Sequence, residues 1–251
     1  MGADRPLVLS IAGFDPSGGA GLLADIKTME EHKVYGLGVT TAQTLQTELD
    51  FFTIRWENVT DILKSVDILL AHYPVRAAKI GIVESMDVLE KIVSRIHEKD
   101  KQVKIVIDPV VASSSGFSFR NGKMDEELVH GILRKSHLIT PNYDEVTSLA
   151  SFPDPKAAAQ QLAEFCPVLL KGGHNTGEVG VDYLYTSDSV KKIMSGSEKV
   201  YSKHGSGCVL SAAIASNFAL GFDLAVACIQ AKKYTEQFLA SNTTLLGYHH
   251  V

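Results

Sequence analysis

Short apolar runs alternate with amphipathic segments along nearly the whole chain, and this alternation limits the fold more than any other feature. Residues 6–12 (PLVLSIA), 77–83 (AAKIGIV), 103–107 (VKIVI), 137–140 and 167–170 have strand length and are rich in aliphatic and β-branched residues. Between them, residues 22–31, 58–73, 85–98, 125–135 and 155–165 carry apolar side chains at helical spacing. Two more helices are predicted over 206–220 and 222–241. Residues 35–45 and 51–56 are β-rich, and 182–195 alternates around Ser187-Asp188 as a hairpin does. Strands separated by helices of about ten to fifteen residues predict an α/β fold, with a mainly parallel sheet covered by helices on both faces.

The polar residues fall at informative places. Asp108 follows the run 103–107, Asn142 and Glu145 follow 137–140, and Lys171 follows 167–170. Open α/β sheets bind ligands beyond the carboxyl ends of their strands, so these groups are predicted to converge. A second signal is Lys203-His204-Gly205-Ser206-Gly207-Cys208, placed directly before an apolar helix. Glycines permit close backbone approach, and a helix start offers unpaired N–H groups at the positive end of its dipole. That combination binds anions, phosphates above all. The same field is expected to lower the thiol pKa of Cys208. The Gly-rich loop at 14–21 (FDPSGGAG) matches neither G-x-G-x-x-G nor G-x-x-x-x-G-K-[ST].

Read as chemistry, Lys171 is a phosphate-binding candidate. Asp108 and Glu145 are candidates to organise magnesium, which needs few protein carboxylates and keeps water. Plain structural roles compete: Glu145 as a first-turn acid, Asn142 as the anchor of its turn, Asp108 as a cap before Pro109. His174 and His204 are possible donors to phosphate, against the common case of solvated loop histidines. The pair His249-His250 reads as incidental. Anion hole, lysine, two acids and a nucleophile-activating group are the parts of phosphoryl transfer, with Cys208 taking the acceptor's proton.

Bulk properties exclude other classes. With 251 residues, 45% hydrophobic, the chain reads as a single domain over 1–251. A net charge of −5 without a basic block argues against nucleic acid or anionic membrane as partners. Three widely spaced cysteines lack metal-ligand spacing and suit a reducing cytoplasm. The N-terminal apolar run is too short for a signal peptide or membrane span.

Several stretches together resemble the ribokinase-like superfamily and, within it, the hydroxymethylpyrimidine and phosphomethylpyrimidine kinases of thiamine biosynthesis. They are AGFDPSGGAGLLAD (12–25), KIGI (79–82), DPVV (108–111), TPNYDE (140–145), KGGH (171–174) and HGSGC (204–208). The resemblance implies a three-layer α/β/α sandwich, ATP as donor, Mg²⁺ as cofactor and a homodimer. It implies transfer to the hydroxymethyl group of 4-amino-5-hydroxymethyl-2-methylpyrimidine, and in many members a second transfer onto the monophosphate. Cys208 then matches the catalytic position, with Gly205, Gly207 and Lys171. Asn142, Lys171, Ser206 and Gly207 match the ATP and phosphate side, and Asp108 and Glu145 the metal. Asp25, Gln46, Ile82, Gly13 and Ala20 fall where this branch holds the pyrimidine.

The chain departs from the branch at Thr44, at Thr47-Glu48-Leu49-Asp50-Phe51, at Ile82, at Ser113-Ser114-Ser115-Gly116, where a lysine is common, and at Leu246-Gly247-Tyr248-His249-His250. These changes fall on pocket and flap. The main alternative is therefore a pyridoxal, pyridoxine or pyridoxamine kinase. A non-catalytic nucleotide- or vitamin-binding protein and a cysteine hydrolase are further alternatives.

Overall fold

Strand β1 (Leu7–Phe14) is almost entirely buried, because it is the middle of a sheet covered on both sides. The computed structural model describes residues 5–109, 125–150, 152–174, 177–196 and 199–250. Along this chain β1 is followed by α1 (Gly21–Glu31), β2 (Tyr35–Gln46), β3 (Phe51–Trp56), α2 (Val59–His72), β4 (Val75–Ile80), α3 (Met86–Lys99) and β5 (Lys104–Ile107). Then come α4 (Glu126–Leu133), β6 (Leu138–Ile139), α5 (Tyr143–Leu149), α6 (Pro155–Leu162), β7 (Val168–Leu170), β8 (Asp182–Tyr185), β9 (Val190–Ile193), α7 (Ser206–Ala219) and α8 (Leu224–Ala240). The strand order is β3-β2-β1-β4-β5-β6-β7-β8-β9. From β2 to β7 the pairing is parallel; β3 at one edge and the β8–β9 hairpin at the other are antiparallel.

Side chains along a strand point alternately to the two faces, and here that splits the core in two. Leu9, Ile11, Ile80, Ile105 and Ile107 pack with α2, α3, α4, α5 and α6. Val8, Ala77, Val106 and Leu169 pack with α1, α7 and α8. The result is the three-layer α/β/α sandwich.

Most helices start on a side-chain cap: Asn58, Ser85, Asp125, Asn142, Asp154 and Asp223 each accept first-turn N–H groups. Helix α5 lies where the sequence suggests a polar turn, with a first-turn acid at Glu145 as the one sign of a helix. Its cause is a capping box, in which Asn142 accepts from Asp144 and Glu145 N–H while Glu145 accepts from Asn142 N–H. Strand β6 is shorter than the predicted 137–140. The altered stretch Ser113–Gly116 and the side chain of His174 lie outside the described residues.

Candidate active site

Helix α7 begins without a side-chain cap. Its preceding residue, Gly205, has φ +76°, and a Cβ there would lie 2.0 Å from the Gly19 carbonyl oxygen. Only glycine lets the two loops meet this closely. The N–H groups of the first turn therefore stay free for a ligand. Gly21, at φ +57°, is pressed in the same way against Gly13, and its N–H is directed at the Cys208 sulfur. A cavity of about 550 Å³ opens here, beyond the carboxyl ends of β1, β4, β5, β6 and β7. Gly13, Gln46 and Ile82 line one part of it; Asp108, Lys171 and Gly207 line another, with Cys208 also on its wall.

The charged groups from distant strand ends do converge. Lys171 Nζ lies 2.9 Å from Asp108 Oδ1 and 3.5 Å from Glu145 Oε2. Asp108 also accepts from Thr140 and Ser211 hydroxyls. Burial opposes ionisation of Asp108, but Lys171 and Lys79 outweigh it and hold the carboxyl below its ordinary range. Burial raises the Glu145 carboxyl, against the pull of Lys171. Lys171 keeps its proton: burial disfavours the charge, and Asp108 and Glu145 more than compensate. A Cβ on Gly207 would lie 3.4 Å from Lys171 Nζ and 3.6 Å from Asp108 Oδ2, so the helix start stands directly over this cluster.

Asn142 is at the rim, but its side-chain oxygen is committed to the α5 cap. Among the described residues no group of three or more His, Cys, Asp or Glu side chains is placed to hold a metal. The two carboxylates fit a magnesium ion that keeps most of its water and shares phosphate oxygens, and not a dedicated protein cage.

Two expectations need correction. The Cys208 thiol is not lowered: burial pushes it up to about 11, assisted by the Asp25 and Asp108 carboxylates, while Lys79 and the Gly21 N–H oppose the rise. Desolvation beside two acids outweighs the Lys79 charge and the Gly21 N–H. Asp25 does not reach the cavity wall. It is fully buried behind it, with Oδ2 held by Lys79 at 2.8 Å and Ser10 at 2.6 Å, and Oδ1 without a hydrogen-bond partner.

The family model described as phosphomethylpyrimidine kinase matches residues 15–251. The chain belongs to the phosphomethylpyrimidine kinase family. The hydroxymethylpyrimidine/phosphomethylpyrimidine kinase of Aquifex aeolicus is 33% identical over 249 residues, covering 95% of this chain and 96% of the relative. That of Rhizobium meliloti is 32% identical over 236 residues, covering 91% and 88%. The crystal structure of phosphomethylpyrimidine kinase from Clostridium difficile 630 superposes with a TM-score of 0.77 at 32% identity, over 92% of this chain and 98% of that one. Pyridoxal kinase from Staphylococcus aureus in complex with ADP superposes at 0.83 over 98% and 94%, but at 22% identity this is likeness of fold alone.

As a member of this kinase family, the protein is a phosphotransferase with an alcohol group as acceptor. Among its predicted site residues, Gly13, Ala20, Gln46, Ile82, Asp108, Asn142, Glu145, Lys171 and 205–208 all line the one cavity. Several residues beside it escaped the sequence reading. Lys79 is fully buried at its back; a lysine inside an otherwise apolar strand was the available signal. Asp15 faces His204 across the two loops, and both line the cavity. Lys232 and Asp182, paired at 2.9 Å, line the far end and carried no sequence signal. No described helix is long and apolar enough to cross a membrane.

Proposed function

We propose that this kinase transfers the γ-phosphoryl group of ATP to the hydroxymethyl group of 4-amino-5-hydroxymethyl-2-methylpyrimidine. The observation that carries the reading is the position of Cys208 between an acceptor-sized wall and an uncapped helix start that overlies Lys171 and Asp108. Gln46 offers both donor and acceptor to an aminopyrimidine edge. Gly13, Ala20 and Ile82 supply the close apolar wall. The free N–H groups of residues 206–208 and the Lys171 ammonium receive the transferring phosphoryl, whose charge they stabilise without reorganising.

As the acceptor oxygen bonds to phosphorus and the bond to ADP breaks, the hydroxyl proton passes to the Cys208 sulfur in its thiolate form, the minor form at neutral pH because burial holds the thiol up at about 11. Lys79 and the Gly21 N–H stabilise that thiolate. Asp108 and Glu145 would hold hydrated Mg²⁺, which supplies charge neutralisation to the phosphates. The homodimer belongs to this reading on the general frequency of two-fold assemblies; sedimentation velocity reads it directly. Because the fold is shared with pyridoxal kinases, the decisive experiment measures ADP release with each alcohol. The aminopyrimidine should be favoured at least about tenfold in kcat/KM, roughly 1.4 kcal/mol of discrimination. A tenfold preference for pyridoxal would replace this reading by its alternative.

A further inference from the structure

We infer that Asp15 and His204 form a positioning clamp that fixes the Gly-rich loop against the start of α7 and thereby sets where the Cys208 sulfur stands. His204 Nε2 lies 2.9 Å from Asp15 Oδ2, and the two side chains are 7% and 1% exposed. Asp15 is the hub of its own loop. Its carboxylate accepts Ser17 N–H at 2.8 Å, the Ser17 hydroxyl at 2.9 Å and Ala20 N–H at 2.9 Å. These bonds and the one from His204 outweigh burial and hold the carboxyl below its usual range.

His204 is anchored equally well on the other side. Its N–H donates to Leu245 C=O at 2.9 Å, and its ring covers Gly19 so closely that a Cβ there would lie 2.7 Å from Cδ2.

These contacts close a ring. It runs from Asp15 through Ala20 and Gly21 to the Cys208 sulfur, back along α7 to Gly205, and through His204 to Asp15 again. Gly205 meets the Gly19 carbonyl and Ala20 mainly through backbone, while the His204 and Leu246 side chains lie over Gly19. The Asp15–His204 hydrogen bond is the side-chain link that stops one loop sliding over the other. Sliding would take the Gly21 N–H away from the sulfur and shift the first-turn N–H groups against the acceptor wall. Displacements of about 1 Å at a reacting centre cost on the order of 100-fold in rate. Asp15 and His204 line the same cavity, but Gln46, Ile82 and Lys171, which carry most of the substrate contacts in this scheme, lie outside the ring.

The inference rests on Cys208 being the group that takes the acceptor proton. Steady-state kinetics on the full chain test it with two amides of similar size. In His204→Gln the amide nitrogen reaches the place of Nε2; in His204→Asn it stops near Nδ1. The Gln variant should keep kcat within about fivefold, and the Asn variant should lose about 100-fold in kcat with both KM values within threefold. Equal kcat in the two variants, or a loss confined to KM, overturns the clamp.

Should His204→Asn not fold, as read by its thermal transition, a cycle of Asp15→Asn, His204→Ala and the double variant gives the second test. If the pair acts as a unit, the double variant is no slower than the slower single variant; multiplying losses overturn the inference. Cys208→Ala separates the two levels. Near-normal turnover in that variant removes the underlying reading, whereas a dead Cys208→Ala beside equal His204 variants removes only the clamp.

Discussion

The transfer side of the cavity and the β2–β3 hairpin are built on opposite principles. On the transfer side, Lys79 paired with Asp25, and Lys171 paired with Asp108 and Glu145, are charges taken almost wholly out of water. An arrangement of that kind tolerates little change, because removing one partner strands another. The hairpin projects Leu45, Leu49 and Phe52 into solvent at 58%, 65% and 61% exposure. Its turn is held by Thr47, whose N–H donates to Asp50 C=O and whose hydroxyl accepts Leu49 and Asp50 N–H. Its base, at Thr44, Gln46 and Phe51, faces the cavity. Among the described residues nothing buried constrains 47–50, and part of the sequence's departure from the pattern it resembles falls there. The comparison teaches that the chemistry is fixed by buried charge, while the choice of acceptor rests on a part free to vary.

Two substitutions sharpen the contrast from its two ends. Cys208→Ala removes the proton acceptor and should lower kcat by about 10²–10⁴-fold while the KM for ATP stays within threefold, as read from acceptor-dependent ADP release. Gln46→Leu removes one polar partner of the acceptor at the base of the hairpin. It should lower kcat/KM for the aminopyrimidine alcohol about ten- to hundredfold, the worth of an acceptor group left unpaired, with ATP kinetics unaffected. If Gln46→Leu weakened ATP as strongly as the alcohol, the division between the two regions would not hold.

The legible part of this molecule was the part written in short-range patterns. Runs such as VKIVI have one sensible place in an α/β fold, and the residues directly after them had to stand at the sheet's carboxyl edge. Hence Asp108, Lys171 and the 205–208 loop were readable as a cluster before any coordinates. What failed depended on the balance of several distant groups. The Cys208 thiol sits high because burial, with two carboxylates from other elements, outweighs Lys79 and the Gly21 N–H, and no local pattern reports that sum. The depth of Asp25 is equally illegible, since it lies on α1 and its partner Lys79 on β4. Helix α5 was missed because two weak signals, the cap and the first-turn acid, were weighed separately although they form one capping box. Asp15 and His204 are 189 positions apart, and only the fold brings them together.

The smallest effect expected concerns the C-terminal segment, which supports the transfer side and leaves the hairpin alone. Leu245 C=O accepts His204 N–H, and Asn242 C=O accepts the Lys203 ammonium. Four residues beyond Leu245, His249 is packed against Phe238, with its Nδ1 3.2 Å from the Tyr234 hydroxyl and 3.4 Å from that of Thr28. Burial, reinforced by the Lys27 charge and opposed by Glu31, pushes its pKa down to about 4. The fold therefore holds this ring neutral, whereas the unfolded chain protonates it near 6.5. Above that pH its contribution is intact; as pH falls toward 4 the unfolded state binds a proton the folded state does not, and stability is lost. A difference of this size is worth on the order of 2–3 kcal/mol by pH 4. Thermal unfolding of the wild type and of His249→Gln between pH 7.5 and 4.5 measures it. The wild type should lose Tm more steeply on acidification, so that the two curves converge at low pH; parallel curves would show that the segment behind the transfer side carries no such titration.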